Sequence, residues 1–431
     1  MSVPTGRRAH QAPGVTARGL AVRALVAIDQ DGARANVLLP TLLAPSGLDD
    51  RDRAFVTELV YGSVRMQRAC DWLVDRHLRR PVEPAVRAAL RLGAYQMAML
   101  GTPRHAAVSA TVAEVHGPAR GLVNAVLRRV ADAVDAGVAW PSLAVELSYP
   151  DWIVDELTTA LGEDDAVAAL RQMNVAALVT TRADGYVQDR ASQWVAKALA
   201  AAGAPMGGAG AGGGEAGADG ATRAGGGVAR VAGERILDLC AAPGGKATWL
   251  AGGGRAAGGP GLVVAGDVAA SRLATVVANV GRLRLDNVVG IALDGTRPPF
   301  PPATFDRVLV DAPCSGLGVL RRRPDARWRA RPDDVARLAA LQRQLIEQAL
   351  ELVRPGGVVV YSVCTLTAAE TLDIDAWLAG AHPEAEAIPA GTLVGPEWEP
   401  LGRGARLLPQ RAGTDGMYLL ALRHAPAAAA G

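Results

Sequence analysis

Two cysteines stand where short apolar segments of the sequence end, and a thiol in such a place can act as a nucleophile. Cys314 follows the segment ending at Asp311, in Asp-Ala-Pro-Cys-Ser-Gly, and Cys364 ends the later segment Tyr-Ser-Val-Cys. A lone cysteine at a strand end is usually a small buried apolar residue. Two thiols at the ends of adjacent parallel strands would share one edge of a sheet, where they favour thiolate chemistry.

A glycine-containing turn after the first apolar segment indicates a cofactor site at a helix start. Its candidate binding residues are Cys240, Ala241, Ala242, Pro243, Gly244, Gly245 and Lys246. The turn is neither GxGxxG nor a Walker sequence, which disfavours a nucleotide triphosphatase. Asp267 lies about 20 residues further on, where a carboxylate accepts from ribose hydroxyls, and Asp294 ends the third segment. The pattern suits an adenosine-bearing cofactor without a pyrophosphate, although Asp294 could instead be a turn acid before Gly295.

These groups suggest methylation of a pyrimidine. A thiolate that adds to C6 turns C5 into an enamine-like carbon able to take an electrophilic methyl group. Asp311 at the N3 edge of the ring would stabilise the negative charge that develops there. The second thiol or a water would assist loss of the C5 proton and of the enzyme. The residues alone leave open which cysteine attacks.

Hydrophobic periodicity predicts the elements that position these groups. Residues 17–135 show helical spacing with breaks at Pro40, Pro45, Pro81, Pro103 and Pro118. Residues 150–202 add amphipathic helices with a β-like stretch at 178–182. A Gly/Ala-rich stretch at 203–233 predicts a flexible linker. Strands are then expected at 236–240, 262–267, 288–294, 307–311, 358–363 and 416–423, with a helix over 333–353. We therefore expect an all-α bundle followed by a doubly wound, Rossmann-like α/β domain.

Composition limits the class of protein. The 431 residues are 50% hydrophobic, with 45 basic and 43 acidic side chains. No apolar run approaches the ~18 residues of a membrane span, and the N-terminus lacks a hydrophobic signal core, so we expect a cytoplasmic protein without membrane contact. Four dispersed cysteines predict neither a disulfide framework nor a metal site. Residues 1–140 hold 18 arginines against 12 acidic residues, which makes the front a candidate for contact with a polyanion.

The chain resembles the RsmB (Sun) type ribosomal RNA cytosine-C5 methyltransferases. The motifs that carry the resemblance are ILDLCAAPGGK (236–246), VLVDAPCSGLGVLRRRPDARW (308–328), VYSVCT (360–365) and LLPQRAGTDGMYLLAL (407–422). In the front part, ELVYGSVR (58–65), LRLGAYQ (90–96) and LVNAVLRR (122–129) are similar to the NusB-like domain fused to that type. Together they cover most of residues 17–423.

The resemblance implies a domain order and site roles. The expected order is a disordered tail (1–16), a NusB-like RNA-binding domain (17–140), a helical connecting region with a reduced RNA-binding subdomain (141–202), the linker (203–233), and an S-adenosylmethionine-dependent catalytic domain (234–425). Cys364 would be the nucleophile and Cys314 the thiol that helps release the enzyme. Residues 240–246, Asp267, Asp294 and Asp311 would contact the cofactor. Cys240 is expected to be structural, since no role in that turn requires sulfur.

The sequence departs from the family in two regions relevant to function. Thr367-Ala-Ala-Glu-Thr371 replaces a Pro-Glu-Glu-Asn-like stretch after the expected nucleophile, and the small α/β piece before the catalytic domain is largely missing. After Cys314 comes an arginine cluster in which we expect RNA phosphate contacts from Arg321, Arg322, Arg323 and Arg327. Trp328, in the same cluster, is a stacking or packing group.

The sequence thus predicts methylation of a cytosine C5 in 16S ribosomal RNA, free or in an early small-subunit particle, with the target base turned out of its stack. One alternative is the same chemistry on transfer RNA or DNA. Another is a non-catalytic RNA-binding or antitermination protein that uses the NusB-like part.

Overall fold

The computed structural model describes residues 15–202, 233–253 and 260–425. The predicted tail at 1–16 and linker at 203–233 therefore lie outside the described residues, except for residues 15, 16 and 233. The chain divides into two compact units. The helical unit runs to Asp155 and includes Leu320–Arg329, and the sheet unit comprises Glu156–Val319 and the chain from Ala330 onward. The domain limits expected from the sequence remain predictions.

α-Helices form most of the first 202 residues, and six more lie in the described part of the chain after residue 233. Their bounds are α1 Ala17–Asp31, α2 Ala35–Leu43, α3 Asp50–Arg65, α4 Gln67–Asp75, α5 Pro84–Ala98, α6 Arg104–Ala113, α7 Ala119–Asp135, α8 Leu143–Glu146, α9 Asp151–Leu161, α10 Glu163–Met173, α11 Arg190–Ala202, α12 Gly245–Gly253, α13 Ala270–Leu283, α14 Ala326–Arg329, α15 Pro332–Leu352, α16 Leu372–Ala381 and α17 Pro409–Ala412. No helix in the described ranges has the length and apolarity that a membrane span needs.

The helical unit is built around α5, whose residues are buried along most of its length. Gly93 on α5 lies so close to Leu127 of α7 that a side chain there would collide with it. The prediction of an all-α bundle over 17–135 is confirmed. The predicted break at Pro40 is wrong, because Pro40 lies inside α2. Neighbouring Leu39 is buried in the core, and this burial holds α2 together despite the missing proline N–H.

The sheet unit contains a nine-stranded sheet within the described residues. The strands are β1 Arg235–Asp238, β2 Leu262–Asp267, β3 Val288–Ala292, β4 Phe305–Asp311, β5 Val353–Val363, β6 Ala385–Ala387, β7 Glu399–Leu401, β8 Gly404–Leu407 and β9 Met417–His424. Their order is β3-β2-β1-β4-β5-β9-β8-β7, and β6 also pairs with β9. Strands β1 to β5 are parallel, whereas β9 is antiparallel to β5 and β8. This is a Rossmann-like sheet with an antiparallel extension.

Sequence and structure agree on the strands that matter for chemistry and differ elsewhere. The stretch at 178–182 is not a strand: only Thr181 pairs there, in an isolated bridge with Val187. Leu178 and Val179 are exposed instead of buried, so their apolar character did not indicate a sheet position. Strand β5 begins at Val353, five residues before the predicted start, and its register shifts against β4 between Phe305 and Arg307. The sequence also missed β6, β7 and β8, which are short.

Candidate active site

The turn from β1 into α12 has a backbone that only small residues permit. Gly244 has a φ of +99°, and a Cβ there would lie 3.1 Å from the Val276 side chain. The Asp267 carboxylate at the end of β2 accepts from the Ala242 N–H at 3.3 Å and from the Ala269 N–H at 3.0 Å. The predicted turn and its first acid therefore form one structure, with α12 starting at Gly245.

Side chains from the segment before α11, which the sequence did not single out, support this turn. Buried Arg182 donates to the Gly245 carbonyl at 2.8 Å and pairs with Asp184. The Tyr186 hydroxyl donates to the Pro243 carbonyl at 3.3 Å. The shortened region before the catalytic domain thus retains residues that hold the cofactor turn. The only sequence signal for them was their position next to the expected domain entry.

Asp294 and Cys240 contribute differently from Asp267. Asp294 lies two residues beyond β3, is exposed, and accepts from the N–H and hydroxyl of Thr296 at 2.9 and 2.7 Å. The Thr296 hydrogen bonds lower the pKa of Asp294. This geometry is that of the turn acid considered as an alternative. Cys240 packs partly against the apolar core of the sheet unit, and burial raises the pKa of its thiol.

The two thiols at the ends of β4 and β5 are in contact. Cys314 Sγ and Cys364 Sγ lie 3.3 Å apart, and both cysteines are free and partly buried. The backbone fixes this pairing, because the Gly318 N–H donates to the Cys364 carbonyl at 3.0 Å. The hydrogen bond with Cys364, burial, and the charge of Glu370 raise the pKa of Cys314 well above its usual value. The expectation that both thiols meet at one sheet edge therefore agrees with the geometry.

A lysine–aspartate pair lies at the same edge. Lys246 Nζ donates to Asp311 Oδ2 at 2.6 Å, and the Ser362 hydroxyl donates to Asp311 Oδ1 at 2.8 Å. Burial by itself would lower the pKa of Lys246, but the charges of Asp311, Asp238 and Cys364 together raise it. The lysine therefore remains a cation although it is buried. Asp311 accepts from Lys246 of the turn and from Ser362 of β5. It therefore connects the turn to the strand that precedes Cys364.

One carboxylate holds the two cysteine loops together, and the sequence did not identify it. Glu370 is fully buried, and its oxygens accept from the Ser315 N–H (2.9 Å) and hydroxyl (2.5 Å), the Thr367 hydroxyl (2.9 Å) and Gln342 Nε2 (2.9 Å). Gln342 also donates to the Pro313 carbonyl at 2.9 Å. Glu370 stands six residues after Cys364, inside the stretch that departs from the family. The stretch that differs from the family therefore includes a carboxylate whose hydrogen bonds join the Cys314 loop to the Cys364 loop.

The arginine cluster is only partly available to a ligand. Arg321 is 5% exposed and Arg327 fully buried, so this structure does not present either guanidinium group to the RNA phosphate that the sequence analysis expected it to contact. Within the helical unit, Arg327 donates to the Arg65 and Ser148 carbonyls at 3.2 and 3.1 Å. Its guanidinium lies 3.9 Å from the Tyr149 ring centroid.

The remaining members of the cluster divide in the same way. Trp328 is a packing group: it lies against the helical core and donates from Nε1 to the Val64 carbonyl at 2.7 Å. Arg323 is exposed and Arg322 half-buried, so these two remain candidates for phosphate contact. Arginine clusters in a sequence do not distinguish solvated side chains from buried ones, because a guanidinium surrounded by carbonyls and an aromatic ring can be desolvated.

The groups around the turn fit a methyl donor that carries an adenosine. Asp238, at the end of β1, is 1% exposed, and its carboxylate interacts with the Cys240 backbone N–H but has no further hydrogen-bond partner among the described residues. Buried polar atoms without partners are rare and mark places where a ligand or water belongs. The Asp267 carboxylate and the N–H groups at the start of α12 provide further polar contacts on the same side. The described residues contain no group of three or more His, Cys, Asp or Glu that could hold a metal.

The ionisation of Asp238 predicts a pH dependence of stability. Burial and the neighbouring Asp311 raise the pKa of Asp238 to about 7, against 3.8 in an unfolded chain. The folded state therefore binds this proton more tightly, so its contribution to stability is complete below about pH 4 and is lost as the pH rises to about 7. Relative to Asp238→Asn, the wild-type free energy of unfolding should fall by about 1.4 kcal/mol per pH unit across that window.

Urea unfolding of both proteins at pH 5 and pH 7 measures this difference. Asp184→Asn is the control, because its carboxylate pairs with Arg182 and its pKa is lowered by that partner. Parallel pH profiles for Asp238→Asn and the wild type would show that the Asp238 carboxyl is not protonated in the folded protein near neutrality.

Fold and site together define a Rossmann-like methyltransferase preceded by a NusB-type helical bundle. Residues 228–423 match the family model described as 16S rRNA methyltransferase RsmB/F, and residues 15–132 match the NusB family. The ribosomal RNA small subunit methyltransferase B of Thermus thermophilus is 37% identical over 95% of this chain and 98% of its own. The chain belongs to the RsmB/F family of 16S rRNA methyltransferases.

Further comparisons agree with this assignment. A protein of Mycobacterium tuberculosis described as a methyltransferase is 36% identical over 97% of this chain and 99% of its own. The solved structure of PH0851 covers 96% of this chain and all of that chain with a TM-score of 0.69. At 19% identity, that structure supports the fold alone.

Proposed function

We propose that the protein transfers a methyl group from S-adenosylmethionine to C5 of a cytosine in 16S ribosomal RNA, through a covalent bond between Cys364 and C6. The observation that carries this proposal is the 3.3 Å contact of two free thiols beside the Lys246–Asp311 pair. The thiol that adds to C6 and the second group that helps this thiol leave must both reach the S–C6 bond. We place the reaction in the cytoplasm, on free RNA or an early small-subunit particle.

The charges around the two sulfurs support Cys364 as the nucleophile. The charge of a Cys364 thiolate interacts with the Lys246 ammonium, whereas the Glu370 carboxylate acts on Cys314 and helps to raise its pKa. These charges disfavour a thiolate at 314, and they leave the Lys246 cation as the charged group that interacts with Cys364. A Cys314 S–H that donates to the Cys364 sulfur further stabilises the thiolate before it attacks.

The bonding changes balance with these residues. The Cys364 thiolate forms the S–C6 bond, and the electron pair of the C5–C6 double bond is delocalised toward N3, where the proton that Lys246 shares with Asp311 offsets the developing charge. S-adenosylmethionine, when bound, would supply the electrophilic methyl group: the electron pair returns to C5 to form the C5–methyl bond, and the methyl–sulfonium bond breaks with its electron pair leaving on S-adenosylhomocysteine. A water removes the C5 proton, the S–C6 bond breaks, and the electron pair returns to the Cys364 sulfur. The Cys314 thiol donates a hydrogen bond to that leaving sulfur.

Glu370 acts in this scheme as a positioning residue, and its replacement gives a separate prediction. Glu370→Gln puts an amide where four donors now meet a carboxylate, so the Cys314 loop should shift relative to Cys364. We expect kcat to fall about 100-fold, because displacement of a reacting group by about 1 Å has that effect. The KM for S-adenosylmethionine should change little, since Glu370 contacts none of residues 240–246. Steady-state methyl transfer to a 16S rRNA transcript measures both constants.

Two further measurements separate positioning from loss of folding. The exposed Glu397→Gln is the matched control and should retain wild-type kinetics. Glu370→Gln removes the charge that raises the pKa of Cys314, so alkylation of Cys314 by iodoacetamide should reach half its maximal rate at lower pH. An unchanged alkylation profile together with an unchanged kcat would contradict the assigned role.

Methyl transfer and bisulfite mapping test the function as a whole. Calorimetry should give saturable heat with S-adenosylmethionine, and bisulfite sequencing of RNA from a deletion strain should lose one 5-methylcytosine signal in 16S rRNA. If the lost signal lies in a transfer RNA or in DNA, the substrate assignment is wrong and the chemistry stands. An absence of both heat and lost signal would favour the non-catalytic RNA-binding alternative.

A further inference from the structure

Because Arg321 and Arg327 are buried, other cations of the helical unit are the candidates for contact with an RNA. One group lies where α4 and α7 pack together. The Trp72 and Trp140 rings are 5.3 Å apart between centroids, and the Arg76 guanidinium lies 4.1 Å from the Trp72 ring centroid. We name Trp72, Arg76, His77, Arg129 and Trp140 the tryptophan–arginine patch. Both tryptophans are half-buried and packed against the helical core.

The patch is positively charged. Arg76 and Arg129 are exposed, and within the described part of the chain neither has a carboxylate at ion-pair distance. The acidic residues on these helices are already engaged: Asp71 and Asp75 pair with Arg87, and Asp132 and Asp135 with Arg104. Two further exposed arginines, Arg79 and Arg80, lie four and five residues after the end of α4.

His77 directly follows Arg76 in the chain. Burial and the charges of Arg76 and Arg129 lower the pKa of its imidazole. Its Nε2 atom is buried and has no hydrogen-bond partner among the described residues. The imidazole is therefore neutral at physiological pH. The positive charge of the patch therefore lies on the arginines, and the patch includes the buried His77 Nε2 atom, which no group in the described ranges hydrogen-bonds.

We propose that the tryptophan–arginine patch binds the phosphate backbone of the RNA substrate. The inference rests on the proposed function and adds to it the surface of the helical unit that holds the RNA. An arginine fixed over an indole ring loses little further freedom when its planar group meets a phosphate in two hydrogen bonds. Paired indole rings beside it offer faces and edges to an unpaired base, the combination that single-stranded RNA sites use. An acidic peptide would use the charges but not the rings.

Salt-dependent binding of a 16S rRNA transcript to the full chain tests the proposal. The variant Arg76→Gln/Arg129→Gln is compared with Arg23→Gln/Arg34→Gln, which removes two exposed arginines elsewhere on the helical unit. Loss of two phosphate contacts should lower the slope of log K against log salt by about 1.5 and raise Kd about tenfold near 0.15 M salt. The control should stay within about twofold of wild type at the same salt. Calorimetry with S-adenosylmethionine, which binds the sheet unit in the proposed function, should be unchanged in both variants.

The outcomes separate this proposal from the proposed function. Equal slopes and affinities for the two double variants overturn the patch, even while the wild type methylates the transcript. A wild type that transfers no methyl, with transcript affinity still lost only in Arg76→Gln/Arg129→Gln, overturns the function and supports the patch. If that variant binds the transcript like wild type and loses affinity only for assembled small subunits, the partner is a ribosomal protein and the RNA proposal fails.

Discussion

Cys364→Ala is expected to abolish methyl transfer to 16S rRNA, with a loss of about 10⁴-fold or more in kcat, while S-adenosylmethionine still binds. Without the sulfur, no bond to C6 forms and C5 does not become nucleophilic. The Ala side chain leaves Lys246, Asp311 and the turn in place, because their hydrogen bonds do not involve the Cys364 side chain. Transfer of tritiated methyl to a transcript measures the activity, and calorimetry measures the binding.

Cys70→Ala is the control for this experiment. Cys70 is fully buried in the core of the helical unit, so its replacement removes a thiol without touching the site. It should keep wild-type kcat. An active Cys364→Ala protein would reverse the assignment of the nucleophile. Activity lost together with cofactor heat would instead indicate a folding defect in the sheet unit.

Cys314→Ala is the second variant with a large expected effect. It should slow release of the enzyme from the RNA, whereas Cys364→Ala prevents the bond to C6. The Cys364 adduct with C6 should form and take the methyl group, but the leaving sulfur then lacks the S–H donor that now lies 3.3 Å away. We expect release to slow by about 100- to 1000-fold, within the range for loss of one acid–base group. A protein–RNA band should therefore accumulate on a denaturing gel, and its label should come from the tritiated methyl group.

The double variant Cys314→Ala/Cys364→Ala provides the control, because it should give no band if the bond runs through Cys364. A band that persists in the double variant would mean that a third group bonds to the RNA. If Cys314→Ala turns over at the wild-type rate and no adduct accumulates, Cys314 has no role in the release step.

Local sequence fixed the elements that carry chemistry because their signals are local. β-Branched runs bounded by turn residues predicted β1 to β5, and the order strand, turn, helix put Cys240 to Lys246 at a helix start. Asp267 and Asp311 fall at strand ends in the structure as the pattern predicted. The sequence analysis did not predict short strands such as β6 and β7, because three residues are too few to show a periodic pattern. The predictions at Pro40 and at 178–182 were wrong, because the secondary structure of such segments depends on whether they are buried against the rest of the fold.

Arginines show the limit of sequence reading most clearly. Arg321, Arg322, Arg323 and Arg327 look alike in the sequence, yet Arg327 is enclosed by carbonyls and a tyrosine ring while Arg323 faces solvent. The difference arises from Ser148 and Tyr149, more than 170 residues earlier. Charge and spacing carry no information about such distant partners.

The sequence by itself determined that this protein has a helical bundle, a Rossmann-like domain, a glycine turn and two thiols at one sheet edge. These follow from periodicity and from the rule that the ends of parallel strands meet. Only the tertiary structure decided that the sulfurs touch, that Lys246 pairs with Asp311, and that Glu370 joins the two cysteine loops. Hydrogen bonds between residues 28 to 65 positions apart depend on how the chain returns on itself, which neighbouring residues do not encode.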